Sequence, residues 1–291
     1  MVACTYTVGV VRGAPGRECF DDFVRGLRAA FRRLGVDGET GRLILFGAVG
    51  AWDGSFDGIP ENAIIYNAEQ VASRGESFAK RNFGRCGNRV IWDYASANFA
   101  PFRALRLRVV HCPVGYVPEM ETITPAANED IDVLFYGAMS LRRKAILVAL
   151  EEAGLRAVGV SGFYGPVRDR LISRAKVVLN VHFYTSPIFE IFRVSHLLAN
   201  GKCVVSENGG CDSALEDFAE RATKLVPYAR IVDACRELVG DVRRRKVVAE
   251  RGREAFRKLD LVAHVAHAIQ ETERLAERVF DQVDSPAEVL V

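Results

Sequence analysis

The sequence predicts an α/β protein built of two Rossmann-like units in tandem, the second followed by helices. Three observations carry that expectation. Short apolar, β-branched runs alternate with segments of helical period along most of the chain. The alternation stops once, at the Pro-, Thr- and acid-rich stretch PEMETITPAANED (Pro118 to Asp130), and then restarts. Finally, 291 residues are too many for one small core and suit two of ordinary size.

In the first half, CTYTVGVV (Cys4 to Val11) reads as a strand and RGAPGR as a loop. CFDDFVRGLRAAFRRLG (Cys19 to Gly35) has apolar residues at helical spacing and a glycine stop. GRLILFGAVG (Gly41 to Gly50) is a second strand running into a glycine turn. NAIIYN (Asn62 to Asn67), NRVIWDY (Asn88 to Tyr94) and LRVVHCPVGY (Leu107 to Tyr116) complete five strands, joined by helix or loop. That order predicts a parallel sheet in a domain spanning 1–120, with 121–130 as linker.

The second domain is expected over 131–280. IDVLFYGAM (Ile131 to Met139) is a strand, and Ser140 caps a helix that stops at Gly154. LRAVGVSG (Leu155 to Gly162) is a strand, GPVRDRLISRA a short helix, and KVVLNVHF (Lys176 to Phe183) a strand. IFEIFRVSHLLANG is a helix and KCVVSE (Lys202 to Glu207) the next strand. Arg230 to Phe280 reads mostly as helices, with 281–291 as a tail. In the run DVRRRKVVAERGREAFRK (Asp241 to Lys258) the cations fit the solvated face of a helix with Val247, Val248 and Phe256 inward.

Composition narrows the function classes. Hydrophobic residues make up 49% and charged residues 26%, a globular balance. A net charge of +2 gives no support for a strong non-specific grip on duplex nucleic acid. Seven widely spaced cysteines without a CxxC argue against a disulfide framework or a zinc site and for a reducing compartment. No apolar run approaches 18 residues and the first residues make a poor signal peptide, so a cytoplasmic protein without integral membrane contact is expected.

Parallel sheets bind ligands beyond the C-terminal ends of their strands, and polar residues gather at four such places. In FYGAMSLRRK, Gly137 ends a strand, and Ser140 opens a helix whose first turn holds Arg142, Arg143 and Lys144. Three cations there oppose the helix dipole, a local cost that a bound nucleotide diphosphate would explain; the competing reading is a solvated basic face. In KVVLNVHFYTSPIFEIFR, Asn180 and His182 alternate on a strand, and Glu190 and Arg193 lie three apart on the following helix. Each alone fits a core or surface role; four together suggest a site. SENGG places Glu207 where a carboxylate can hold sugar or ribose hydroxyls, with Gly209 and Gly210 beside it. In the first domain, Asn67, Glu69, Gln70, Asp93 and Asn98 end strands and suit hydroxyl-rich ligands, with Asp93 or Glu69 as a candidate general base. The arrangement of charges in IFEIFRVSHLLANGKCVVSENGG thus either caps ordinary elements or lines a crevice between two domains.

YGPVRDRLISRAKVVLNVH followed by IFEIFRVSHLLANGKCVVSENGG resembles the nucleotide-binding half of a GT-B fold glycosyltransferase, over about Asp132 to Gly210. YNAEQ, WDYASAN and CPVGYVPEM are similar to segments of a loosely defined bacterial and phage group of glycosyltransferases. The resemblance implies a GT-B-like enzyme, with a UDP- or GDP-type nucleotide sugar as co-substrate in the second domain and the acceptor in the first. It implies donor binding by Gly137, Ser140, Arg142, Lys144, Asn180, His182, Arg193, Glu207, Gly209 and Gly210, with Glu190 at the donor sugar. Asn67, Gln70 and Asn98 would face the acceptor, and Asp93 or Glu69 would activate its hydroxyl in an inverting reaction. It implies hexosyl or related transfer without a bound metal or other cofactor. Retaining members often carry two acids before the A-x-G turn. Here His196 stands in the second position, so neither that ribose contact nor retention follows. The acceptor stays open among glycan, protein, metabolite and modified DNA base. A sugar-nucleotide epimerase or a non-catalytic nucleotide-sugar-binding module on the same scaffold are the alternatives.

Overall fold

The computed structural model describes residues 5–10, 17–38, 40–46, 56, 58–183 and 188–283, and of residues 10, 17 and 277–283 the backbone alone. The expected loop after the first strand, the glycine turn at Gly47–Gly50 and the tail beyond 283 lie outside the described residues.

The described residues form two five-stranded, wholly parallel sheets. The first takes β1 (Tyr6–Val10), β2 (Arg42–Phe46), β3 (Ile64–Asn67), β4 (Val90–Asp93) and β5 (Arg108–His111), laid side by side in chain order. Their central members are buried at every position, as a parallel sheet covered on both faces requires. Alternation decides the faces. Ile44, Phe46, Ile64, Tyr66 and Trp92 pack under α1 (Asp21–Leu34), whereas Leu45, Ile65 and Ile91 pack under α2 (Val71–Phe83) and α3 (Phe99–Ala104). Gly35 ends α1 in the left-handed region, φ 69°, giving its N–H to the helix's last carbonyls.

The second sheet holds β6 (Ile131–Tyr136), β7 (Ala157–Val160), β8 (Ala175–Asn180), β9 (Val204–Glu207) and β10 (Lys224–Val226) in the order β10-β9-β8-β6-β7. The order reverses at β6, and such a reversal opens a crevice at the strand ends. The connecting helices are α4 (Leu141–Glu152), α5 (Gly165–Arg174), α6 (Ile191–Ala199) and α7 (Ser213–Ala222), followed by α8 (Ile231–Gly240), α9 (Val242–Arg257) and α10 (Leu261–Val283).

The sequence reading passed over α7 and β10, although Asp212 caps α7 by accepting the Leu215 N–H at 3.1 Å. On α9, Val248, Gly252 and Phe256 face inward at intervals of four, which turns Val247 out to 67% exposure, contrary to the expected inward position. The expected boundaries group the terminal helices with the second unit. The last of them, α10, packs on α1 and the first sheet: Thr272 accepts the Trp92 indole N–H at 2.8 Å, and Glu273 takes the Tyr6 hydroxyl at 2.9 Å and Arg42 at 3.0 Å. Cys19, Cys86, Cys112, Cys203, Cys211 and Cys235 are all free thiols.

Candidate functional site

A cavity of about 390 Å3 opens between the C-terminal ends of the two sheets. Phe20, Asp22, Ala68, Gln70 and Tyr94 line it from the first unit. The second unit contributes the ends of β6 and β7 (Tyr136, Gly137, Gly162 to Tyr164), Arg168, and the start of α6 from Phe189 to Arg193, with His196 one turn on. Phe192 crosses the gap and packs edge-on against Phe20, Phe23, Phe46 and Tyr94.

Glu190 occupies the N-cap position of α6 and is the centre of the polar wall. Its Oε2 takes the His182 Nδ1 at 2.7 Å and the Asn180 Nδ2 at 3.0 Å. Among the described residues its Oε1 has only the Arg143 guanidinium, at 3.6 Å. The expected meeting of Glu190 and Arg193 runs through Asn180, whose Oδ1 accepts from Arg193 Nη1 at 2.9 Å. Burial alone would raise the Glu190 carboxyl; the His182 hydrogen bond and the charges of His182, Arg193 and Arg143 bring it down to about 2. Gly137, at φ 135°, gives Arg193 its room, for a β-carbon there would lie 2.9 Å from Arg193 Nη2.

A second charged cluster faces the same cavity and was missed in the sequence. Arg168 Nη1 meets Asp22 of the first unit at 2.6 Å, and its Nη2 meets Asp169 at 2.7 Å and His196 at 3.0 Å. His196 Nε2 also lies 3.0 Å from Asp169. Burial would lower the Arg168 guanidinium, but the two carboxylates keep it raised. The signal was helical period: Arg168 and Ile172 are four apart and both buried, which puts the Arg on the inner face of α5. The same holds for Arg143, buried with Ile146 and Leu150 on α4. It donates to the Val181 carbonyl at 2.8 and 2.6 Å and to the Ala138 carbonyl at 2.7 Å. Among the described residues, His182 Nε2 and His196 Nδ1 are buried without a hydrogen-bond partner.

Several sequence-expected residues stand elsewhere. Arg142 grips Glu207 with two 2.5 Å hydrogen bonds and lies 4.1 Å over the Tyr228 ring, so the two neutralise each other away from the cavity wall. Ser140 caps α4 through the Arg143 N–H at 3.4 Å, and Lys144 is exposed outside the cavity. The Gly209 and Gly210 amides already hold an anion, the Glu216 carboxylate, at 3.0 and 3.3 Å. Asp93 is fully buried among Asn67, Asn98 and the Ala95 N–H, and Glu69 pairs with Arg74 at 3.0 Å; neither acid lines the cavity. Of the three expected acceptor-side residues only Gln70 reaches it. Among the described residues no group of three or more His, Cys, Asp or Glu is placed to hold a metal ion, and no helix is long and apolar enough to cross a membrane.

The arrangement of two such sheets facing across a cleft is the GT-B fold, and known structures bear the likeness out over nearly the whole chain. Anabaena HepE, in complex with UDP and glucose, superposes with a TM-score of 0.60 at 11% identity, covering 94% of this chain and 99% of that one. AviGT4, a glycosyltransferase involved in avilamycin A biosynthesis, gives 0.55 at 15% identity over 94% of this chain and 98% of its own. A T4 phage BGT variant in complex with UDP-glucose gives 0.54 at 11% identity over 94% and 96%. No family model matches the chain. In sequence it is 27% identical to an uncharacterized protein of Acanthamoeba polyphaga mimivirus over 187 residues, 62% of this chain and 60% of that protein. A second uncharacterized mimivirus protein is 30% identical over 106 residues, 36% of this chain and 12% of the other. The chain therefore spans 60% and 12% of the lengths of these relatives.

Proposed function

We propose that the protein is a glycosyltransferase that takes a sugar from a UDP-type nucleotide donor bound on the second unit. The observation that carries this reading is the wall formed by Glu190 and Arg193 at the strand ends of a GT-B fold, facing a cavity of the size a small-molecule site needs. HepE and the T4 enzyme, which share the fold, were seen with UDP or UDP-glucose. In this reading Arg193, with Gly137 beside it, meets the diphosphate, and its charge offsets the one that develops as the nucleotide leaves. Glu190 Oε1, which has no hydrogen bond among the described residues, accepts from a donor-sugar hydroxyl. His182 and Asn180 orient that carboxylate instead of touching the ligand themselves. Phe163 and Tyr164 flank the base. Arg142, Glu207, Gly209 and Gly210 act one step away, by holding the loops. The leaving diphosphate is neutralised by side chains, without a metal.

The acceptor is not specified by these residues and stays open among glycan, protein, metabolite and modified base. One observation favours a second reading, a nucleotide-sugar-binding module without turnover: the first-unit acid that lines the cavity, Asp22, is tied to Arg168 at 2.6 Å. Calorimetric titration with UDP and UDP-glucose, followed by a search for UDP release with candidate acceptors, separates the readings. Binding with release supports transfer, and binding with none for any acceptor supports the module. Absence of binding in folded protein refutes both.

A further inference from the structure

The residues sealed around Asp93 build a corner that reaches the other unit. Asn67 takes the Glu69 N–H on Oδ1 at 3.0 Å and returns Nδ2 to the Glu69 carbonyl at 3.0 Å. Asn98 gives Nδ2 to the same carbonyl at 3.0 Å and takes the Ala72 N–H at 2.9 Å. These bonds converge on Asp93 and fix the backbone on either side of Gln70. From that fixed point Gln70 crosses the cleft. Its Oε1 accepts the Ile188 N–H at 3.0 Å and its Nε2 donates to the Ile188 carbonyl at 2.8 Å. The side chain thereby replaces a strand neighbour for one residue. Ile188 is fully buried, and among the described residues no other group bonds either half of its peptide. Glu190 stands two residues further on.

The same corner makes a second reach. Ser96 Oγ and the Ala97 N–H donate to Asp212 Oδ2 at 3.2 and 2.9 Å, while Asp212 Oδ1 caps α7. Asp212 closes the loop that carries Glu207, Gly209 and Gly210. One rigid corner of the first unit thus holds the segment that leads into Glu190 and, behind the cavity wall, the loop after Glu207, whose carboxylate takes the His182 N–H at 3.1 Å.

We propose that this corner is a positioning element: Gln70, by holding the Ile188 backbone, sets Glu190 at the donor wall, and the Ser96–Ala97 turn, by holding Asp212, steadies the loop behind it. The proposal rests on the donor-site reading above. Gln70 is a positioning residue in this scheme and touches neither the reacting atoms nor the diphosphate.

Two measurements on the full chain test it, hydrogen exchange without ligand and titration with UDP-glucose. In Gln70→Ala, amides from Ile188 to Val194 exchange about tenfold faster while those of β3 and β4 keep the wild-type rate, and UDP-glucose binds about tenfold more weakly. Gln70→Glu, which keeps an acceptor for the Ile188 N–H and loses the donor, falls between wild type and Gln70→Ala in both. Unchanged exchange at Ile188–Val194 overturns the proposal whether or not a nucleotide binds. Faster exchange with wild-type affinity overturns the coupling to the donor site. If the wild type binds no UDP-glucose while exchange responds as expected, the donor reading fails and the clasp is upheld.

Discussion

Two corners of the molecule look alike in sequence and differ in what they do. Each puts an acid at or past the end of a buried parallel strand, with an Asn beside it. At Asp93 both oxygens are filled from inside: Oδ1 by the Ala95 N–H at 2.8 Å and Asn98 at 3.0 Å, Oδ2 by Asn67 at 2.6 Å. At Glu190, which lines the cavity, Oε2 is filled by His182 and Asn180, while among the described residues Oε1 has no hydrogen bond and lies 3.6 Å from the Arg143 guanidinium. A polar cluster at a strand end is a strut when its valences close on one another and a site when one stays open. The two corners then serve one purpose, since the closed one carries the side chain that braces the open one.

The comparison predicts opposite signatures for the two acids. Asp93→Ala leaves several buried donors without an acceptor and lowers stability by about 4 kcal/mol, read as a shift of the denaturation midpoint. A loss under about 1 kcal/mol would mean that Asp93 is not the keystone of its corner. Arg193→Ala, in contrast, removes a charged contact at the open wall. It weakens UDP-glucose binding about 30- to 100-fold with little change in midpoint. Arg142→Ala separates the two classes, because its charge is spent on Glu207: it should cost stability and leave affinity within about threefold. Equal losses of affinity in Arg142→Ala and Arg193→Ala would put the phosphates nearer α4, as the sequence alone suggested.

The acids also titrate in opposite directions. Burial pushes the Asp93 carboxyl up from 3.8 to about 7, against the pull of the Ala95, Asn67 and Asn98 donors. The folded chain then keeps a proton that the unfolded chain has lost, so stability falls as pH rises from about 4 to about 7, at up to about 1.4 kcal/mol per unit. Glu190 is brought down from 4.5 to about 2, so its contribution is present above about pH 4.5 and is lost as pH falls toward 2. Thermal melts of wild type and Asp93→Asn between pH 4.5 and 7.5 read the first effect. The wild type should lose ground to the variant with rising pH, and parallel profiles would show that Asp93 is ionised throughout.

Much of this was legible in the sequence. Strands of both sheets follow from apolar, β-branched runs, and the start of α4 from Ser140. That Gly137, Glu190 and Arg193 line the cavity follows from the first standing just past a strand and the other two opening a helix. What was not legible is which valences are already filled. Three cations in a row at Arg142 to Lys144 look like one anion site, yet the helix turns them to three fates: a pair with the buried Glu207, a buried carbonyl clamp and solvent. The Asp22–Arg168 pair joins residues 146 positions apart, and no local spacing encodes it. Gln70 does line the cavity, but its bonds to the Ile188 backbone of the other unit leave no mark in the sequence around it.

The smallest expected effect tests a strut that lies far from any ligand. Trp92, on the strand that ends at Asp93, donates its indole N–H to Thr272 Oγ1 at 2.8 Å, and the Thr272 hydroxyl donates to the Ala268 carbonyl at 2.7 Å. All of this is buried. Thr272→Val keeps the shape and removes the acceptor, so the indole N–H is left unpaired and stability falls by about 1 to 2 kcal/mol. Because the bond braces α10 on the first sheet and not the donor wall, UDP-glucose affinity should stay at the wild-type value. If affinity fell with stability, α10 would be part of the device that holds the units closed. The distinction between closed struts and open sites would then need a third class, in which a matched bond far from the cavity sets the angle between the units.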